Sequence, residues 1–514
     1  MMRSLYSGVS GLKVHQTKMD VIGNNIANVN TVGFKSSQVN FSDILYQTTS
    51  NASGPNAEAH TAGINAKQIG LGSTVSAISQ TVTVSGGSQR TDNALDVMIE
   101  GNQFFIVNNG TQNYFTKAGA FTVDAAGVLC TTGGCKVMGW QVDENDPNKC
   151  VHDTVSELKV QSEANMQVPP EATENVYFFG NIDYKDTQLQ TETGKTTTMS
   201  FYDSLGQSYM AIFQLKQRAA DDGTRSEDIY DLVVDDILDS TGTSIYVTSP
   251  PNPDQPITEE NSYKIKEGWG LNFGGQLDDT GAVSGGIEVT EVLPDNADDF
   301  AKTGKVHLNM ETGVTIKFDK ATGKFVGITG EGDVDPENPF KSVQFQVMTD
   351  NEEESPFKTI DCDFSSMTMY AASGASTFAA QRGSLKEGYG AGKPKGNMTG
   401  MAVDSSGRIY GSYDNGDKKL LCQIAVASFA NPAGLEAAGN SLFLATMNSG
   451  EFNGVGEDIS VSGGKMTTGV LEMSNVDLST EFTSIITTQR GFQANSRVIT
   501  TSDTLLEELI NLKR

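Results

Sequence analysis

The side chains able to do chemistry in this chain are few and scattered. Five cysteines stand at Cys130, Cys135, Cys150, Cys362 and Cys422, and four histidines at His15, His60, His152 and His307. Cys130 and Cys135 bracket Thr-Thr-Gly-Gly, as a zinc half-site could, but no second pair completes a tetrahedral set, so small core or turn residues are the better reading. A reactive pair involving Cys150 stays open. The histidines fall in no HExxH or paired spacing, and no GxSxG elbow, phosphate-binding loop or dinucleotide fingerprint is present. YDNGDKK (413–419) has the residue types of a calcium loop without the bidentate Glu at the required distance, and it reads as an Asn-Gly hairpin turn. Any two of the 64 Asp and Glu residues could meet as a glycosidase pair, yet nothing singles two of them out. No catalytic residue, metal ligand or cofactor is assigned, and the chain is not expected to be an enzyme.

Charge narrows the partners. The 514 residues carry 64 acidic against 36 basic side chains, a formal charge of -28. A nucleic-acid binder needs a basic face to neutralise phosphates, and none is visible. Nucleic acid and anionic membrane surfaces are therefore excluded as partners. No run of about eighteen apolar residues exists, so no membrane insertion is expected. The first residues are amphipathic and interrupted by Ser, Gly, Lys and His, unlike a secretory signal peptide, so any export is expected to leave the chain uncleaved. An odd cysteine count in so long a chain argues against a disulfide framework.

What the chain does display is assembly chemistry at its two ends. Residues 1–35 place Leu5, Val9, Leu12, Gln16, Met19, Gly23 and Ile26 at alternating steps of four and three. Residues 474–514 repeat the pattern through Leu478, Phe482, Ile485, Gln489, Phe492, Ser496, Ile499, Asp503, Leu506 and Ile510. A stripe at 3.5 residues is the seam of a coiled coil or tight helix pair and must face something apolar. The apolar members are the expected subunit-packing residues. The C-terminal helix would be about 50 Å long at 1.5 Å per residue, so it is expected to project from any globular body. Asn24, Asn25, Asn28 and Asn30 read as ordinary helix termination, with Asn28, Asn30, Gly33 and Phe34 forming a junction beneath the β body. Asp477 and Glu481 sit where carboxylates suit the positive end of a helix dipole. Gly491 inside the helix costs about 1 kcal/mol relative to Ala, which marks either close helix approach or a tolerated defect.

Between the ends the pattern is β. Residues 36–75 read as an extended linker with little core of its own. LDVMIEGNQFFIV (95–107) and YFTKAGAFTVDAAGVL (114–129) supply short strands separated by Gly and Asn turns. Around DSLG, Thr197, Met199 and Phe201 oppose Tyr209, Ala211, Phe213 and Leu215 as a hairpin. Most aromatics alternate as strand cores, whereas a cluster of them in one exposed groove would favour a ligand-binding role. PPNPDQP (250–256) marks an inserted loop or boundary, and the acidic stretches 294–299, 331–339 and 351–355 read as solvated loops. The expected fold is mainly β with terminal α-helices, a coiled-coil-like N- and C-terminal pair and nested discontinuous all-β domains. Residues 1–35 with 471–514 form the helical domain, 36–75 the linker, 76–154 with 361–470 an inner β domain, and 155–360 an outer inserted region of one or two subdomains.

ANVNTVGFK (27–35), LDVMIEGNQFF (95–105), FANPAGL (429–435), SNVDLSTEF (474–482) and QRGFQANSRVITTSDTLLEELINLKR (489–514) closely resemble the bacterial flagellar axial rod and hook family, hook subunits most of all. The resemblance covers about 1–145 and 365–514, in one order at both ends. It implies an extracellular component of the flagellum, exported through the flagellar type III apparatus, whose terminal helices order on assembly into a hollow helical homo-polymer. For a hook subunit it implies a curved tube that passes motor torque to the filament as a universal joint. The implied neighbours are the distal rod protein, a hook cap protein and a hook-filament junction protein. A distal rod subunit is the nearest alternative and a flagellum-borne adhesin a more distant one; the long 155–360 insertion argues against the rod.

Overall fold

The computed structural model describes residues 2–55, 62–143, 146–219, 225–248, 262–277, 283–296, 300–310, 312–330, 339–350, 355–386 and 388–512. The Pro-rich stretch 250–256 and all or part of the acidic stretches 294–299, 331–339 and 351–355 lie outside these. Helix α1 spans Met2–Ala27 and helix α2 spans Leu478–Asn511, with the strands between them. The chain divides into two compact units, residues 1–166 with 398–514 and residues 167–397.

Those limits differ from the ones expected at 154/155 and 360/361, and strand pairing explains why. Ser156–Glu157 pairs with Lys136–Gln141 and so stays in the first unit. Ile360–Thr368 and Ala379–Arg382 flank Asn175–Asn181 on either side and so belong to the second. The expected linker is also more ordered than its composition suggested. Ser37–Asp43 pairs with Ser73–Gln80, and Tyr46–Ser50 with Lys67–Gly70, as antiparallel ribbons. Every residue of the second ribbon is exposed, so it has no core of its own. An isolated two-stranded ribbon is marginal in water.

In the first unit a sheet runs through Arg408–Tyr413, Lys418–Ile424, Lys136–Gln141, Phe104–Asn108, Asn113–Thr116, Leu442–Leu444 and Glu436–Gly439. Strands from two distant segments therefore interleave, as where Gly139 pairs Ile424 and Trp140 pairs Gln423. Successive side chains of a strand point to opposite faces. In Phe104–Asn108, Phe104 and Ile106 enter a core with Phe115, Trp140 and Phe443, while Phe105 and Val107 enter another with Ile409, Leu421 and Ile424. Such a strand, apolar on both faces, is the centre of the body. Asn415 and Gly416 turn the hairpin between Arg408–Tyr413 and Lys418–Ile424, with Gly416 at φ +87°. Cys130 to Cys135 closes another turn, with Cys135 buried in the core.

The second unit holds two large sheets around one core, beside two short two-stranded ribbons among the described residues. One is the antiparallel series Lys195–Tyr202, Ser208–Ala219, Arg225–Leu238, Val314–Phe318 and Phe325–Thr329. The other runs Val283–Ser284, Gly270–Leu277, Ser342–Met348, Ile360–Thr368, Asn175–Asn181 and Ala379–Arg382. The DSLG hairpin is present, with Met199 opposite Ala211 and Phe201 opposite Tyr209. Phe213, fully buried, meets Phe178, Phe273 and Phe345 with ring centroids 5.2, 5.6 and 5.9 Å away. Phe213→Ala is expected to destabilise the protein by about 3–5 kcal/mol in urea unfolding. A loss near zero would mean that this aromatic cluster does not hold the unit together.

Candidate assembly site

The terminal helices pack antiparallel through their smallest residues. Ser4 Oγ lies 3.2 Å from Ser502 Oγ. A methyl group on Gly8 would stand 3.0 Å from Ile499 Cγ1, one on Gly11 2.6 Å from Asn495 Nδ2, and one on Gly491 2.7 Å from the His15 ring. Gly491 therefore marks close helix approach. At the other end Asn25, 1% exposed, donates from Nδ2 to Glu481 Oε1 at 2.8 Å.

This seam keeps the 3.5-residue spacing of the sequence pattern but lies one position earlier. On α1 it runs through Ser4, Gly8, Gly11 and His15 where the apolar stripe names Leu5, Val9, Leu12 and Gln16. On α2 it runs through Glu481, Thr488, Asn495 and Ser502 where the stripe names Phe482, Gln489, Ser496 and Asp503. Leu5, Leu12, Met19, Ile26, Ile485, Phe492, Ile499 and Leu506 are half-buried, whereas Val9, Leu478, Phe482 and Ile510 are exposed. Apolar periodicity finds a helix face, but backbone closeness is set by residues with little or no side chain, and hydrophobicity gives glycine no weight. Met2, Tyr6 and Val9 consequently form an exposed edge of α1. On α2, Leu478, Phe482 and Ile486 lie exposed near the start, and Val498, Leu505, Leu509 and Leu512 near the end. At about 100° per residue the two groups fall on nearly opposite flanks of α2.

His15 is pressed between α2 and the ribbon, its ring edge-on to Phe41 at 6.1 Å, and burial followed by the nearby Lys18 lowers its pKa. Asp477 is the cap of α2, accepting from Ser479 N at 2.9 Å, and its hydrogen bonds from Thr480 and Ser479 hold its pKa down. Glu481 stands in the first turn of α2, where its charge suits the helix dipole, and its carboxylate also accepts from Asn25. Asn25 is not mere helix termination, since it also bonds both backbone groups of Ser37. Asn28 does terminate locally, donating to Asn24 O at 2.9 Å, and Asn30 is exposed.

Where the helices meet the β body lies a buried charge cluster that sequence reasoning missed. Lys35 Nζ reaches Glu472 Oε1 at 2.7 Å with both side chains essentially fully buried, and also donates to Val84 O at 2.7 Å. Glu472 Oε1 accepts from Gly86 N, while its Oε2 is buried and, among the described residues, has no hydrogen-bond partner. Asn475 accepts from Ser36 N at 2.7 Å and donates to Thr81 O at 2.9 Å. Gly33, at φ +67°, donates to Glu472 O at 2.8 Å, and a Cβ there would stand 2.7 Å from Ala118 N. Phe34 is half-buried and turns back to Thr31 O. Lys117 is also 1% exposed and donates to Gly101 O at 2.6 Å. Burial brings its pKa down to about 8, with Glu472 opposing that shift and Lys35 adding to it. The only sequence signal was a charge at the inward position of a strand, Glu472 after Leu471. FANPAGL is an internal turn, with Phe429 edge-on to Phe115 at 4.7 Å. Among the described residues no group of three or more His, Cys, Asp or Glu is placed to hold a metal ion, and no helix is long and apolar enough to cross a membrane.

The cluster can be tested by substitution and by pH. Glu472→Gln should cost about 3–5 kcal/mol, because it leaves Lys35 and Lys117 buried without a countercharge; a loss below 1 kcal/mol would contradict the burial. The Lys117 pKa of about 8 lies below its ordinary value of 10.5. Between those values the unfolded chain binds more protons, so this group makes stability rise with pH across the window, by up to about 3 kcal/mol. Urea unfolding from pH 7 to 10.5 should show a smaller rise in Lys117→Met than in the parent. Identical pH profiles would place Lys117 in contact with water.

Comparison with known proteins fits this arrangement of ends and body. Residues 5–35 match the family described as flagella basal body rod protein, residues 98–177 the flagellar hook protein FlgE/F/G D1 domain, and residues 467–512 the flagellar basal body rod FlgEFG protein C-terminal. The chain is 33% identical to the flagellar hook protein FlgE of Treponema pallidum over 527 aligned residues that cover 100% of both chains. It is 34% identical to the hook protein FlgE of Borreliella burgdorferi over 528, again covering 100% of both. The basal-body rod protein FlgG of Bacillus subtilis is 49% identical, but over 138 residues that cover 27% of this chain and 51% of that protein. The rod match leaves most of the chain unaccounted for, whereas the hook proteins align from end to end. The chain belongs to the flagellar hook protein FlgE family.

Proposed function

We propose that the exposed flanks of the terminal helices are the contacts through which this chain, a structural subunit of the bacterial flagellar hook, joins copies of itself. The observation that carries the reading is the mismatch between seam and stripe. The helix pair spends glycine, serine and asparagine on its own closure and leaves Tyr6, Val9, Phe482, Ile486 and Leu509 in water. Burying one such side chain is worth about 1.5–3 kcal/mol. Association costs about 4–15 kcal/mol or more, so a stable contact needs several of them together. Flanks on both sides of α2 suit a subunit with a neighbour on each side. The exposed ribbon of residues 46–50 and 67–70 calls for the same kind of cover.

In this reading the helical ends with residues 471–477 form the packed wall of a curved hollow tube, and the β body lies outside it. The ends firm up as neighbours bury them, because the seam alone buries little apolar surface. Export through the flagellar type III apparatus precedes assembly. The tube begins on the distal rod protein, grows under a cap protein, ends at a junction protein and carries torque as a universal joint. A rod subunit is not favoured, given the partial match to FlgG.

Phe482→Asp and Val9→Asp test the contact. Each residue is exposed, so the monomer should keep its circular dichroism and urea midpoint while assembly into hooks, counted by electron microscopy, falls about tenfold or more, as expected for hot-spot positions. Normal hooks from both variants would overturn the assignment.

A further inference from the structure

The second unit contains an aromatic groove built from its own residues alone. Its cavity of about 320 Å³ is lined by Tyr209, Trp269, Phe357, Lys266, Asp239 and Thr243, among others. This is at the low end of the roughly 300–1,000 Å³ range of small-molecule pockets, the size class of a mono- or disaccharide. Three aromatics at the margin of the core, Tyr209, Trp269 and Phe357, form part of the groove's wall. Tyr209 and Trp269 meet Phe357 edge-on, at 5.0 and 6.4 Å, and all three are half-buried.

The polar groups in the groove are held but incompletely used. Lys266 Nζ stands 4.0 Å over the Trp269 ring, and among the described residues no hydrogen bond engages it. Asp239 Oδ1 accepts from Thr241 N, Thr241 Oγ1 and Thr243 N, and these bonds with one from the Gly242 backbone outweigh burial and hold its pKa down. That turn fixes the carboxylate at the edge of the groove. Burial lowers the Lys266 pKa, opposed by Asp239 and Asp350. With two carboxylates close to one ammonium the groove is not an anion site. It offers a donor, an acceptor and aromatic surface together. A pyranose has the matching parts, hydroxyls that both donate and accept around C–H faces that pack on aromatic rings.

We propose that this groove binds a neutral pyranose, with Lys266 donating to a ring or hydroxyl oxygen, the Asp239 carboxylate accepting from a hydroxyl, and Tyr209, Trp269 and Phe357 packing on the sugar's apolar face. The site is independent of the helical contacts, so its failure would not touch them.

Trp269 gives a readout, because the second of the two tryptophans, Trp140, is 2% exposed and lies in the other unit. The full chain, kept monomeric, would be titrated with maltose, lactose and N,N′-diacetylchitobiose, with glucuronic acid as the anionic comparison. Tryptophan fluorescence and saturation-transfer difference NMR would be recorded together. A saturable response to at least one disaccharide, weakened about tenfold in Lys266→Gln with an unchanged circular dichroism spectrum, is expected from the loss of a charged donor. Lys266→Arg, which keeps a donor, should retain part of the binding. No saturable response to any disaccharide, an undiminished response in Lys266→Gln, or tighter binding of glucuronic acid would each overturn the proposal.

Discussion

Two helices can approach closely only where neither puts a side chain between the backbones, and the design of this subunit's ends depends on that constraint. Gly8, Gly11 and Gly491 supply the gap, and Asn495 and His15 fill what remains of it. Most larger apolar side chains fall to the flanks, although Ile499 lies against Gly8 and Val14 and Ile22 are buried. A pair closed through leucines would bury its own hydrophobic surface and be self-sufficient. This one ends with Tyr6 and Val9 of α1 and Phe482, Ile486, Leu505 and Leu509 of α2 still exposed, and exposure of that extent on adjoining helices marks an interaction surface. Loose intramolecular closure and capacity for intermolecular contact are thus the same choice of residues.

The buried cluster at Lys35 and Glu472 does the complementary task. It ties the segment leaving α1 to the segment entering α2, and both to the β body, by bonds whose loss strands a charge in the protein interior. Asn475 and Asn25 add amide hydrogen bonds at the same junction, one of them to the Glu481 carboxylate. Buried charge of this kind is poor evidence of net stability, since an apolar replacement often does as well. Its value here is geometric. Lys35 reaches its partners in one arrangement, so the direction in which the helices leave the body is fixed even while their flanks await cover.

Much of this was legible in the chain. The period of 3.5 residues located both helices, and the alternation around DSLG located the central hairpin of the second unit with its buried face. The seam was misplaced by one residue because apolar counting cannot see glycine as a contact. Unit limits were misplaced because Ile360–Thr368 joins Asn175–Asn181 in a parallel pair across a long stretch of sequence, which no local pattern encodes. Lys35, Lys117 and Glu472 were invisible for a related reason: single charges are ordinary on surfaces, and only the fold shows that these are buried together. The groove of Tyr209, Trp269 and Phe357 escaped notice because its rings come from three separate segments.

Hydrogen exchange of the α1 and α2 amides, measured in the monomer and in assembled hooks, tests the central claim most directly. If the helix pair is left incomplete by its own seam, exchange in the monomer will be fast along α2. It will slow by at least about a hundredfold on assembly, an opening cost raised by some 3 kcal/mol, while the core strand Phe104–Asn108 stays protected throughout. Equal and strong protection of both helices in monomer and polymer would show that the pair is complete alone and that the exposed flanks do not carry assembly.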